Sequence, residues 1–187
     1  QGLLDATVTQ YSAQWAGVAV VEIGTGRVIV LADSGAVDPN EPGLWNASDR
    51  GARSVTAPYE PGSTGKLLTI AAALNEGLVE PGSVFYVPSR QTIDGQVFND
   101  STPHPDYDMT LTGILATSSN IGTVQVGNLL GDDLRYQYML DFGFGTRTGV
   151  GLPGEEPGLL GVPDSWDGRT RMTTMFGQGY AITLVQN

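Results

Sequence analysis

The stretch Pro61-Gly62-Ser63-Thr64-Gly65-Lys66-Leu67-Leu68-Thr69-Ile70-Ala71-Ala72-Ala73-Leu74-Asn75 decides how this chain is read. From Ser63 onward it has no Pro, is rich in Leu and Ala, and stops just before Gly77. That predicts a helix over 63–75 with a glycine at its C-terminal cap. Apolar residues run nearly all round it, which predicts a buried helix.

Its first residues invite a phosphate-binding loop, and that reading fails twice. The pattern needs Gly where Glu60 stands and Ser or Thr where Leu67 stands. Without the hydroxyl a magnesium ion lacks a ligand, and Glu60 repels phosphate. What remains is Ser63 and Lys66, three residues apart and so on one helical face within a turn. A serine hydroxyl is a poor nucleophile until a neighbouring base takes its proton. Lysine can be that base only if burial penalises its ammonium form. Free amides at the helix N-terminus would stabilise negative charge on an acyl oxygen. The plain alternative is Ser63 as a helix cap and Lys66 as a solvated lysine.

Upstream, residues 3–13 predict a short amphipathic helix. Residues 17–23 and 27–32 are two β-branched runs around Gly24-Thr25-Gly26, hence a β-hairpin. Both runs are almost continuously apolar, so both faces are expected to be covered in a helix-flanked sheet. A loop is expected over 33–61, broken by Pro39, Pro42, Gly43, Gly51 and Pro58. Downstream, 81–108 is turn-rich with an extended piece at Val84–Val87. Residues 110–116, 121–130 and 133–142 predict three short helices, the last capped by Asp132 or Asp133, and 143–168 reads as loop. No convincing pair of long strands follows the hairpin. A two-stranded hairpin is only marginally stable by itself, so either further strands are hidden in the segments expected as loops or the partner strands lie beyond Asn187.

Composition narrows the function classes. The 187 residues carry 9 Lys and Arg against 20 Asp and Glu, a net charge of −11, which argues against nucleic acid as a partner. No Cys is present, which removes disulfides, Cys-ligated zinc and thiol catalysis. No run reaches the length of a membrane span, and the chain opens at Gln1 with no initiator Met, so it reads as a piece of something longer. No cofactor motif and no metal-ligand cluster stands out.

Ser118-Ser119-Asn120 lies at a junction between two predicted helices. A serine there could relay a proton to a leaving group, and an Asn could orient both the lysine and a substrate amide; helix capping is the simpler reading of either residue alone. Three blocks in this order, Tyr59-Glu60-Pro61-Gly62-Ser63-Thr64 ahead of Lys66, Ser118-Ser119-Asn120-Ile121-Gly122, and Phe176-Gly177-Gln178-Gly179, resemble the penicillin-binding transpeptidase family. The likeness is greatest to its class B, monofunctional, cell-division or elongation type. Thr25-Gly26, Asp38-Pro39-Asn40, Phe142-Gly143-Phe144-Gly145 and Leu152-Pro153-Gly154-Glu155 agree as lesser landmarks.

The resemblance implies an α/β fold of the penicillin-binding transpeptidase and serine β-lactamase kind, an antiparallel sheet flanked by helices plus a helical lobe. It implies that residues 1–187 form one transpeptidase domain cut before a Lys-Thr/Ser-Gly strand. Ser63, Lys66, Ser118 and Asn120 would be catalytic, and Gly62, Ser119, Gly177, Gln178 and Gly179 would bind substrate, with no cofactor and no metal. The expected partners are peptidoglycan stem peptides ending in D-Ala-D-Ala, β-lactams, and proteins of a cell-wall synthesis complex. The expected place is the extracytoplasmic face of a bacterial membrane, with the anchor outside this sequence. Two rival readings share the motifs: a serine β-lactamase or penicillin sensor, and a non-catalytic division scaffold. Gly65 stands where the family carries a bulky apolar residue, so a lost packing contact and a decayed site are the expectation attached to the scaffold. His104, in Pro103-His104-Pro105-Asp106, reads as a surface-loop histidine. Asp106 with Asp108 and Glu155 with Glu156 read as solvated carboxylates.

Overall fold

Strands β1 (Gly17–Val21) and β2 (Val28–Asp33) form an antiparallel pair, Gly17 opposite Asp33 and Val20 opposite Val30, with a bulge between Val20 and Val21. The computed structural model describes residues 1–38 and 40–187, and of Ser48 the backbone only. Pro39, one of the expected loop breakers and the middle of Asp38-Pro39-Asn40, lies outside the described residues. The chain divides into two units, one made of Gln1–Tyr59, Gly145–Gly158 and Ile182–Asn187, the other of Glu60–Phe144 and Leu159–Ala181.

In the first unit, α1 (Gly2–Tyr11) precedes the hairpin and α2 (Arg53–Thr56) packs against it. Asp33, at the end of β2, is buried and accepts both the Ser54 amide at 3.2 Å and the Ser54 hydroxyl. Two expectations fail here. Helix α1 buries none of its residues, and Leu3 and Tyr11 are exposed. The apolar faces of the hairpin, expected to be covered, are largely open, with Val20 at 45% and Ile29 at 51% exposure; that no third strand joins the pair among the described residues agrees with the lack of a partner pattern after it. Glu155 also departs from its expected solvated state, being buried and accepting the Thr148 amide and hydroxyl, each at 2.6 Å, which holds its carboxyl below the usual range.

The second unit is built around α3 (Lys66–Asn75), which follows a 3₁₀ turn at Gly62–Gly65. Ser63 therefore lies in that turn rather than in the α-helix itself. Gly77, at φ 65°, ends α3 as expected: its amide bonds Leu74 O and the Leu78 amide bonds Ala73 O, both at 3.0 Å, the two bonds of a left-handed glycine cap. Segment 81–108 holds more order than its turn-rich composition suggests. β3 (Val84–Val87) pairs with β6 (Tyr107–Thr110), and β4 (Arg90–Ile93) pairs with β5 (Gln96–Asn99). The β4–β5 connection is Asp94-Gly95, both at positive φ, a two-residue hairpin turn that the sequence does announce.

Helices α4 (Leu111–Thr117), α5 (Asn120–Gly127) and α6 (Asp132–Asp141) follow, close to the expected spans. Gly131, not Asp132 or Asp133, caps α6; Asp132 instead pairs within the first turn with Arg135 at 2.9 Å and also bonds Arg171. A short α7 (Thr170–Thr173) runs into a 3₁₀ turn at Thr174–Phe176. Ile70, Val87, Phe98, Met109, Ile114, Ile121, Val124 and Met175 form the core of this unit. Each such side chain contributes about 1.5–3 kcal/mol on burial, and together they fix α3, α4, α5 and α7 against one another.

Candidate active site

Lys66 is 1% exposed, although it opens a helix. The sequence buries it because Gly65, Leu68, Thr69 and Ile70 around it are buried too, and because the Thr69 hydroxyl ties α3 to Met175 O at 2.7 Å. Its Nζ donates to the carbonyl oxygen and, at 3.0 Å, to the hydroxyl of Ser118. Both acceptors face one amine because Ser118 is a left-handed residue, φ 57° and ψ 39°, closing α4. Such a φ is unusual for a residue with a Cβ and marks a place where surrounding structure imposes the backbone.

Burial lowers the Lys66 ammonium to about 8, with the charge of Asp100 acting in the opposite direction. This matters for chemistry. A neutral amine has two N–H groups and one lone pair; with both N–H groups given to Ser118, the lone pair is left to take a proton. Ser63 lies one turn before Lys66 and is exposed.

Asn120 is the first residue of α5. Its Nδ2 donates to Asn99 O at 3.0 Å, while its amide and that of Ile121 donate to Asp100 Oδ1 at 2.6 and 3.0 Å. Ser119 is buried and caps α5, its hydroxyl accepting the Gly122 amide at 2.9 Å. Across from Ser63, the Gly62 amide donates to Gly177 O at 2.8 Å, and the Gly179 amide to Glu60 Oε1 at 2.7 Å. Gly177 is at φ 89°, and a Cβ there would lie 1.7 Å from Gly62 O. No other residue type fits that contact.

These motifs have counterparts in known proteins. The sequence matches the family described as the penicillin binding protein transpeptidase domain over residues 16–187. The chain belongs to the penicillin-binding protein transpeptidase family. Penicillin-binding protein PbpB of Mycolicibacterium smegmatis is 37% identical over 169 residues, covering 89% of this chain and 26% of that protein. The probable peptidoglycan D,D-transpeptidase PenA of Neisseria flavescens is 35% identical, over 98% of this chain and 45% of its own length. The crystal structure of penicillin binding protein 3 from Mycobacterium tuberculosis, complexed with aztreonam, superposes with a TM-score of 0.92 at 33% identity, over all of this chain and 42% of that one. The chain thus spans about a quarter of the length of the PbpB relative, and it has the α/β transpeptidase fold that the motifs imply.

The expected site residues all lie in the unit made of residues 60–144 and 159–181, and several of them are bonded to one another or to neighbouring segments. Lys66 and Ser118 are bonded; Asn120 is turned onto Asn99; Gly62, Gly177 and Gly179 join the Ser63 turn to the Phe176-Gly177-Gln178-Gly179 segment; and Gln178 is exposed. Gly65 needs correction. It is not a lost contact, because a Cβ there would meet Tyr180 Oη at 2.4 Å and Gly177 Cα at 2.9 Å. The volume is filled by Tyr180, which is buried and stacked on Phe144 with ring centroids 5.6 Å apart. Burial pushes the Tyr180 hydroxyl well above its ordinary value, so it stays protonated.

Three contributors escaped the sequence reading. Asp100 follows β5 by one residue, and only the Asp94-Gly95 turn, by implying a hairpin, points to where β5 ends. Glu60 stands in the 59–64 block without a role of its own there, beyond being an obstacle to phosphate. Tyr180 has no motif at all. Lys66 is moreover the only lysine of the sequence, so no Lys-Thr-Gly or Lys-Ser-Gly occurs in it.

Proposed function

We propose that this chain supplies the nucleophile half of a peptidoglycan D,D-transpeptidase site, with Ser63 as the acylated residue. The observation that carries this reading is the buried Lys66, committed by two N–H groups to Ser118 one turn after an exposed serine. Ser63 Oγ attacks the carbonyl carbon of the penultimate D-Ala of a stem peptide while its proton passes to Lys66 Nζ. The C–N bond to the terminal D-Ala then breaks, and that nitrogen receives a proton from Lys66 by way of Ser118. The amine of a neighbouring strand attacks the resulting ester, gives its proton to Lys66, and releases Ser63, which recovers its hydrogen.

Asn120 positions the substrate amide. Gly62, Gly177, Gln178 and Gly179 border the bound peptide, and Ser119 supports Asn120 by capping α5. A strand bearing Lys-Thr/Ser-Gly would complete the carboxylate grip from outside these 187 residues, which we read as one part of a single transpeptidase domain. β-Lactams would acylate the same serine, needing neither metal nor cofactor. The working place would be the extracytoplasmic face of a bacterial membrane, among proteins of a cell-wall synthesis complex; no described helix is long and apolar enough to cross a membrane.

Mass spectrometry of the full-length protein after exposure to penicillin is expected to find the adduct on Ser63 and none in Ser63→Ala. An adduct on another residue would overturn the assignment. Rapid turnover of nitrocefin would instead make the protein a β-lactamase.

A further inference from the structure

His104, the only histidine of the sequence, lies in the loop between β5 and β6 as expected, but it is only partly exposed and is held by two partners. Its side chain is 15% exposed and sits against Asp100, itself 6% exposed, between β5 and β6. Nδ1 lies 2.7 Å from Pro105 O and Nε2 lies 2.9 Å from Asp100 Oδ2. A peptide carbonyl and a carboxylate can only accept, so both ring nitrogens must carry hydrogen, and the ring that satisfies both contacts is the imidazolium. The Ser89 hydroxyl receives the His104 amide at 3.2 Å, and the ring tilts onto Tyr107 at 4.9 Å, which fixes its orientation.

Asp100 thereby stands between two partners. One oxygen meets the imidazolium and the other holds the Asn120 and Ile121 amides. It is also the carboxylate whose charge acts on Lys66. We infer that His104 is a positioning residue of this site: as an imidazolium it holds the Asp100 carboxylate and offsets part of its charge, so that Asp100 can anchor the start of α5 beneath Asn120 while its pull on the Lys66 ammonium is reduced. The inference rests on Lys66 being the base for Ser63. The Pro105 carbonyl favours the imidazolium most, followed by the charged groups facing His104, Asp100 and Asp106, so the ring titrates above its ordinary value despite its partial burial. A cavity of about 200 Å³ bordered by Asp100, His104, Tyr107 and Thr117 gives the ring access to solvent for proton exchange.

The sign follows directly. As pH rises through the raised value the imidazolium loses a proton, one of its two bonds is lost, and Asp100 acts on Lys66 uncompensated, which holds the ammonium more firmly. His104→Gln imposes that condition at every pH.

Three measurements on the full-length protein test this. Nitrogen NMR of the His104 ring, assigned by through-bond and through-space correlations, is expected to show both nitrogens protonated at pH 7 in the unsubstituted protein; a singly protonated ring overturns the inference without any variant having to fold. The titration of Lys66, followed by NMR of its Cε, is expected to move upward in His104→Gln and to return in His104→Arg, which keeps a cation. Penicillin acylation of Ser63 at pH 7 should fall about three- to tenfold in the first variant, as a displaced base titration of up to about one unit requires, and recover in the second. A Lys66 titration unchanged in His104→Gln, or equal losses in both variants, would leave His104 a merely structural residue and sink the idea. A moved Lys66 titration in a protein that forms no Ser63 adduct would instead refute the proposed function and spare the coupling.

Discussion

Tyr180 occupies the volume that a side chain on Gly65 would need, its Oη 2.4 Å from where a Cβ would stand. Stacking on Phe144 holds the ring in place. Gly65→Leu is therefore expected to destabilise the protein by about 1–3 kcal/mol, the usual cost of overpacking, and Gly65→Ala by less. Adding Tyr180→Phe removes the overlapping oxygen and should restore part of the loss in Gly65→Ala. Urea unfolding of the single and double variants decides it; strictly additive effects would mean that the two positions do not compete for space.

Acylation should follow the titration of Lys66. Its folded value, about 8, lies below the 10.5 of an unperturbed lysine, so about one molecule in ten has the neutral amine at pH 7. The rate of penicillin acylation is expected to climb with pH and level off just above pH 8. The same shift affects stability: burying the ammonium is a cost below pH 8, and it is relieved as pH rises from 8 toward 10.5. Lys66→Met should lose about 10²- to 10⁴-fold in acylation, and its stability relative to the unsubstituted protein should decline as pH is raised across that window. A flat rate profile from pH 6 to 9 would contradict the assignment of the base.

The candidate constellation is legible because it is written in short-range patterns. Ser63 and Lys66 are a turn apart, and Ser118, Ser119 and Asn120 sit where two helical patterns meet. Nothing local encodes the rest. Asp100 matters only because β5 ends beside the start of α5, and Tyr180 matters only because Gly65 leaves room for it. The strands of 84–110 were mostly missed because each is four residues long, too short for period-two alternation to stand out, although Asp94-Gly95 marks one of their turns. The exposure of the hairpin could not be read from its own apolar residues, since coverage depends on what packs against them.

Ser118 gives Lys66 a hydroxyl and, through its left-handed backbone, a carbonyl. Those two contributions separate by substitution. Ser118→Ala keeps the strained φ and loses the hydroxyl; Ser118→Gly loses the hydroxyl and relieves the backbone. Both are expected to slow acylation by about 10- to 100-fold, the scale of a lost proton relay, but Ser118→Gly should be the more stable of the two by about 1 kcal/mol. Thermal unfolding set beside acylation kinetics tests both halves, and equal stabilities would show that the φ carries no strain.

Glu60 holds the Gly179 amide at 2.7 Å. Glu60→Ala is expected to slow acylation roughly two- to tenfold, in keeping with the net worth of one hydrogen bond. The midpoint of the pH profile should stay where it is, because Glu60 is not among the charges acting on Lys66. A displaced midpoint would assign it an electrostatic role instead.

The close passage of Gly177 over Gly62 O constrains how such a site can change under pressure from a covalent inhibitor. Two segments more than a hundred positions apart meet at that point: Gly177 has no room for a side chain against Gly62 O, and Gly62, although open space lies beside it, sits at a φ of 60° that strains any residue with a Cβ. Escape variants that reshape access to Ser63 are thus channelled to open positions such as Gln178 and Thr64, or must arrive as matched pairs around Gly65 and Tyr180. The backbone contact itself is left as the part of the target least able to drift.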